Sequence, residues 1–230
     1  MNKHIQIALD GPSGAGKSTA AKALAAKLGI IYVDTGALYR TVGYYVRSKN
    51  VDPKDAEGVT ALLGEIALEL RYENGAQQVY LNGEAMGDRI RTPEMSMYAS
   101  AVSAIPTVRA FLLDTQRSIA QKHSVIMDGR DIGTVILPNA NVKIFLVASD
   151  ECRAQRRYEE LCEKGIATTY EEVLSDMRTR DHNDRSRTVA PAVAAPDAVR
   201  FDNSERGFEE SLDALITLIK DTLSQKGIQI

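Results

Sequence analysis

Apolar residues along this chain follow two spacings, and the switches between them mark out its elements. Ile5, Ile7, Ala8 and Leu9 crowd into residues 4–9, a run too apolar for a strand with one wet face and too short for a helix. It predicts a strand buried on both sides. From 16 to 28 the period lengthens, so that Ala20, Ala21, Leu24 and Leu28 fall on one side of a helix that Gly29 closes. A second strand follows at 30–33, and further apolar runs occupy 124–127 and 142–147. Helical spacing covers 106–122, 150–164, 169–182 and 207–225. Strands alternating with helices predict an α/β fold, a parallel sheet flanked by helices. Ligands on such sheets gather at the carboxyl ends of the strands, which places the loops after residues 9, 33 and 127 around one crevice.

The stretch from 68 to 88 breaks this rhythm. Asn74-Gly75 and Asn82-Gly83 punctuate short strand-like runs such as Gln78-Val79-Tyr80-Leu81, the signature of hairpin turns. A small antiparallel β insert is expected here, flanked by helices near 53–67 and 93–104. Such an insertion shapes a second ligand pocket or merely decorates the surface. Pro191 and Pro196 make 189–196 a loop, leading to a strand at 198–201.

Between the first strand and helix stands Gly11-Pro12-Ser13-Gly14-Ala15-Gly16-Lys17-Ser18, followed by Thr19. The spacing GxxxxGK[ST], in a strand–loop–helix context, is a phosphate-binding loop. Its glycines let the backbone wrap a polyphosphate while amide groups and the positive helix end face the anion. Lys17 supplies a cation for the β and γ oxygens, and Ser18 a hydroxyl for the magnesium ion that accompanies the nucleotide. Residues 11–19 are therefore the candidate contacts to a nucleoside triphosphate.

Charged residues cluster at the other strand ends. Asp34-Thr35-Gly36-Ala37-Leu38-Tyr39-Arg40 follows the second strand, and a helix beginning near Gly36 would bring Arg40 to the crevice or leave it on the surface. Asp34 or Thr35 would cap that helix. The run ending in Met127 delivers Asp128, a candidate magnesium ligand, directly or through water. Arg130 and Asp131 follow at once, as a functional pair or an internal salt bridge. Arg180, Asp184 and Arg187 share a face if their helix persists, able to hold a phosphate and a sugar hydroxyl or to form a solvated ion-pair ladder.

Composition narrows the classes. With 230 residues and 44% hydrophobic content the chain suits one domain with insertions. A net charge of −3 and a pI near 5.7 argue against nucleic acid as partner, and the arginines from 153 to 187 are interleaved with acids. No apolar stretch approaches the roughly 20 residues of a membrane span, and no secretory signal is evident, so a cytoplasmic protein is expected. Cys152 and Cys162 read as reduced thiols, and the scattered histidines offer no metal-ligand spacing.

Read together, GPSGAGKST at 11–19, DTGALYR at 34–40, IRTPE at 90–94, MDGRDIGTVILPNANVKIFL at 127–146 and RDHNDRSR at 180–187 resemble bacterial cytidylate kinase across almost the whole chain. The resemblance implies a P-loop nucleoside monophosphate kinase that phosphorylates CMP and dCMP with ATP and magnesium, and a monomer is expected. It divides the chain into a core of 1–35, 105–150 and 188–230, a monophosphate-binding region of 36–104 with its insert at about 68–88, and a short helical lid at about 156–170. By resemblance, Thr35, Tyr39, Arg40, Arg130 and Arg180 surround the monophosphate. Ser100, Arg109 and Asp131 recognise cytosine, and Asp184, assisted by Arg187, takes the sugar. Arg156 and Arg157 close over the donor phosphates, and Lys17, Arg130, Arg156 and Arg180 are the catalytic set. Thr35 stands where many relatives have serine, with the hydroxyl retained. Two rivals share the phosphate loop: a kinase for another small acceptor, and a guanine-nucleotide switch. The switch requires an NKxD motif, which the chain lacks, and its only DxxG match, Asp55 to Gly58, lies in a polar helical stretch. A triphosphate-driven nucleic-acid motor fits poorly with the acidic balance.

Overall fold

A computed structural model describes residues 4–73 and 76–229. Its centre is a five-stranded parallel sheet in the order β2-β6-β1-β7-β8, with β1 at Gln6–Asp10, β2 at Ile31–Asp34, β6 at Val125–Gly129, β7 at Val142–Val147 and β8 at Val199–Asp202. Ile7, Ala8 and Leu9 are fully buried, as an unbroken apolar run on a central parallel strand requires. Helix α1 (Lys17–Leu28) and α8 (Phe208–Gln225) pack on one apolar cluster with β1 and β7. A second cluster joins β6 to the turn after it.

Helices α2 (Thr35–Ser48), α3 (Ala56–Leu62), α4 (Pro93–Val102) and α5 (Pro106–Lys122) surround a separate core built on Leu38, Val42 and Val102. Into it project Val79 and Leu81 of the three-stranded antiparallel sheet, β3 (Leu68–Glu73), β4 (Ala76–Leu81) and β5 (Glu84–Ala85). The insert is thus packed against α2 on an apolar face. Its second turn is Asn82-Gly83, both at positive φ (50° and 84°), which is the type I′ pattern that joins Leu81 to its partner Glu84. The Asn74-Gly75 turn lies outside the described residues. The helix expected over 53–67 is shorter: α3 ends at Leu62 and a single 3₁₀ turn, Leu63–Glu65, completes it.

Helices α6 (Asp150–Glu163) and α7 (Tyr170–Ser186) form a hairpin with its own small core of Ala154, Leu161, Val173 and Met177. A capping box of Thr169 and Glu172 starts α7. That helix runs four residues beyond its expected end at 182, to Ser186, where Arg187 turns to extended backbone (ψ 140°). Among the described residues no single helix is long and apolar enough to cross a membrane.

Candidate active site

The carboxyl ends of the parallel strands open on a cleft of about 1520 Å³. Ser13, Gly14, Gly16, Lys17, Ser18 and Thr19 line it, whereas Gly11, Pro12 and Ala15 are buried and do not. Gly11 answers to packing: a Cβ there would lie 2.1 Å from the Leu146 carbonyl oxygen, so only glycine lets the chain leave β1 against β7. Gly16 precedes α1 in left-handed conformation, and the helix has neither a side-chain cap nor an acidic residue in its first turn. Its leading amides therefore keep their dipole for an anion. Lys17 Nζ donates to the Pro12 carbonyl at 2.6 Å, closing the loop on itself. Burial, reinforced by Arg130, pulls its pKa well below that of an ordinary lysine.

Ser18 Oγ donates to Asp128 Oδ2 at 2.7 Å, and Tyr32 OH donates to Asp128 Oδ1 at 2.9 Å. Burial and the nearby Asp34 raise the Asp128 pKa. A hydroxyl and a carboxylate in contact beside a phosphate loop are hard oxygen donors that fit magnesium. Tyr32 escaped the sequence reading; its one signal is a polar-tipped ring inside an aliphatic strand.

On the opposite side, Asp34 rather than Thr35 caps α2, its Oδ1 accepting from Ala37 N at 2.9 Å. Its other oxygen holds Arg40 Nη2 at 2.8 Å. The guanidinium lies over Gly36, where a Cβ would sit 2.9 Å from Nη1. Arg40, Arg130 and Arg180 all line the cleft; Arg40 Nε and Arg180 Nε are buried without a hydrogen-bond partner, and Arg180 Nε lies 3.9 Å from Asp184 Oδ2. Burial and repulsion by Arg130 bring Arg180 down to about 10, so it stays cationic near neutral pH.

The remaining acceptor candidates form one buried network behind these arginines. Arg130 Nε donates to Asp184 Oδ2 at 3.0 Å, and Ser100 Oγ donates to Asp184 Oδ1 at 2.9 Å. Arg109 pairs with Asp131, with its guanidinium 5.6 Å from the Tyr39 ring centre. Arg187 reaches Asp131 Oδ1 at 3.4 Å and Ser103 Oγ at 2.9 Å. Burial raises Asp131 in spite of Arg109 and Arg187, whereas at Asp184 burial is outweighed by Arg130 and Arg180 and the pKa is lowered. Ser100, Arg109, Asp131, Asp184 and Arg187 do not line the cleft; Arg130 is the member that does. Arg187 is not on the helical face with Arg180 and Asp184 but just past the helix, and it reaches the network because the chain turns there. Thr35 Oγ1 donates to the Asp128 carbonyl at 2.7 Å, which ties α2 to β6 rather than pointing into the cleft.

Arg156 and Arg157 of α6 line the cleft as well. Arg156 donates to Asn203, at 2.9 Å to its carbonyl, and Asn203 Nδ2 reaches the Ala15 carbonyl at 3.2 Å; Arg157 pairs with Glu160 at 2.7 Å. Sequence reasoning also missed three supporting groups. Asp10, the last residue of β1, accepts from Ile132 N at 2.8 Å and Gly133 N at 2.7 Å, anchoring the π-helical turn Ile132–Ile136 that begins beside Asp131. Gln77 of β4 bonds both backbone polar atoms of Asp34, at 2.9 and 3.1 Å, and so docks the insert on the sheet edge that carries Arg40's partner. Arg153 and Asp181 hold the backbone of Ser13.

The family model described as cytidylate kinase matches residues 7–221. The chain is 48% identical over 218 residues to a cytidylate kinase of Fervidobacterium nodosum, covering 95% of this chain and 97% of that one. It is 48% identical over 216 residues to a cytidylate kinase of Thermosipho melanesiensis, covering 94% and 97%. To a cytidylate kinase of Ligilactobacillus salivarius it is 46% identical over 221 residues, covering 96% and 99%. A match along nearly the full length, on a fold that joins a phosphate loop to a second arginine-rich site, establishes that the chain belongs to the cytidylate kinase family.

Proposed function

We propose that this chain transfers the γ-phosphoryl group of ATP directly to CMP, giving ADP and CDP. The observation that carries the reading is that Lys17 and the three arginines Arg40, Arg130 and Arg180 line one cleft, so donor and acceptor phosphates can meet there. In the reaction a phosphate oxygen of CMP forms the new P–O bond while the bond from γ-phosphorus to the bridging β-oxygen breaks in line. The CMP phosphate is already an anion near neutral pH, so the site has no need of a strong general base; its work is alignment and neutralisation of charge. Lys17 and the loop amides hold the donor. Arg40, Arg130 and Arg180 receive the acceptor phosphate, and Arg156 and Arg157 approach the donor from α6.

Ser18 and Asp128 would hold a magnesium ion, which supplies neutralising charge on the triphosphate when bound. Cytosine recognition is assigned to Ser100, Arg109 and Asp131, which sit in the buried network behind the cleft and carry a hydroxyl, a guanidinium and a carboxylate. Cytosine offers an amino donor beside a ring acceptor, a pattern that this set complements and that uracil reverses. Asp184, with Arg187, is assigned to the sugar hydroxyls, and dCMP is included as a substrate. The division into core (1–35, 105–150, 188–230), monophosphate-binding region (36–104) and lid (about 156–170) belongs to the same reading. One chain supplies both sites, which supports a monomer; Cys152 and Cys162 are free thiols, which suits the cytoplasm.

Separation of nucleotides after incubation with ATP, magnesium and CMP tests the reaction itself. ADP and CDP are expected in equal amounts. ADP formed without CDP would mean that water is the acceptor and would overturn the assignment.

A further inference from the structure

A buried ion pair outside the cleft grips the phosphate loop from behind. Arg153 on α6 is 2% exposed and Asp181 on α7 is 6% exposed. The Arg153 guanidinium bonds Asp181 Oδ2 at 2.5 Å, Asp150, and the Ala148 carbonyl at 3.1 Å. It also donates to the Ser13 carbonyl at 2.6 Å, and Asp181 Oδ1 accepts from Ser13 N at 2.9 Å. Both backbone polar atoms of Ser13 are therefore held by one pair that bridges two helices. Gly14 packs on the same place, because a Cβ there would lie 3.1 Å from the Arg153 carbonyl oxygen and 3.0 Å from Met177 Cε.

Stability alone does not account for such a pair, since well-packed apolar residues often replace a buried ion pair at no cost. What apolar residues cannot do is bond a peptide's N–H and C=O at once. A loop that cradles an anion depends on the fixed orientation of its peptides. We propose that Arg153 and Asp181 are positioning residues for the donor site: they fix the Ser13 peptide and tie the phosphate loop to the α6–α7 hairpin. The same two helices bring Arg156, Arg157 and Arg180 to the cleft, so one clamp registers the loop against them. The inference rests on the kinase reading above and deepens its donor half.

The test uses Asp181→Asn and the double variant Arg153→Met/Asp181→Leu, each compared with wild type in the full chain. Amide hydrogen exchange at Ser13 should accelerate about 10-fold in both, the size of losing a charge-assisted hydrogen bond. The KM for ATP should rise about 10-fold while the KM for CMP stays within about twofold, and the double variant should keep the wild-type Tm within about 4 °C. Unchanged exchange and KM for ATP in a folded variant would overturn the proposal, as would an equal rise in both KM values. Failure of both variants to fold would also overturn it, by making the pair a structural one. The exchange readout does not depend on the acceptor. Failure of the CMP reading would instead appear in the wild type, as absence of CDP.

Discussion

Arg130 Nε donates to Asp184 Oδ2 at 3.0 Å, while the other oxygen of that carboxylate is held by Ser100 at 2.9 Å. This joins a cleft-lining arginine to the buried network that the reading assigns to sugar and base. Arg130→Ala removes the arginine proposed to receive the acceptor phosphate and leaves a buried carboxylate short of its partner. The account expects kcat/KM for CMP to fall by about 100-fold or more, with the dissociation constant for ATP changed less than about threefold. Steady-state kinetics combined with ATP titration check this; loss of ATP affinity alone would place Arg130 on the donor side.

Gly11→Ala should be far more damaging than its size suggests. The new Cβ would be driven into the Leu146 carbonyl oxygen at 2.1 Å, between a central strand and backbone that cannot move aside. A loss of about 3 kcal/mol or more is expected. Gly64→Ala, where nothing lies within 4 Å of the added carbon, serves as the control and should stay within about 1 kcal/mol. Urea unfolding of the two variants makes the comparison.

Asp10 gives a pH dependence. Burial pushes its pKa up from 3.8 to about 7, against the two backbone N–H groups that favour the carboxylate. Because the folded state binds its proton more tightly than the unfolded chain, stability from this group is full below pH 4 and is lost as pH rises toward 7. Asp10→Asn removes that titration. The wild-type stability minus that of the variant should therefore fall between pH 5 and pH 7 and level off above pH 8. Urea midpoints across this range check it, and a difference independent of pH would contradict it.

Gln77→Ala should loosen the insert where it meets the sheet edge, since its amide supplies both hydrogen bonds to the Asp34 backbone. Asp34 in turn holds Arg40. A rise of about 3- to 10-fold in KM for CMP is expected, with KM for ATP unchanged, as loss of neutral hydrogen bonds acting through a neighbour would give. Equal changes in both would show that the insert acts on the fold at large.

What could be read in the sequence was local. The apolar run at 4–9, the helical spacing of 16–28 and the loop between them carry their meaning within a few residues, and all lie where expected. Asp128 and Arg130 could be placed at a strand end for the same reason. The supporting groups could not: Arg153 meets Ser13 across 140 residues of sequence, and Asp10 meets Gly133 across 123. Nothing near either residue announces its partner. Arg187 shows the complementary limit: its spacing put it on one face with Arg180 and Asp184 only if the helix continued, and the helix ends at Ser186. Arg187 still reaches Asp131, by a turn of the backbone that no periodicity encodes.

The proposed function requires a second nucleotide, with cytosine as its base, held opposite Lys17. The most direct measurement is kcat/KM with ATP as donor and CMP, dCMP, UMP and AMP each offered as acceptor. The account predicts CMP as the best acceptor, dCMP as a substrate, and UMP and AMP lower than CMP by about 100-fold or more, the discrimination available to a site built on hydrogen bonds to the base. Turnover of UMP or AMP equal to or better than that of CMP would contradict it.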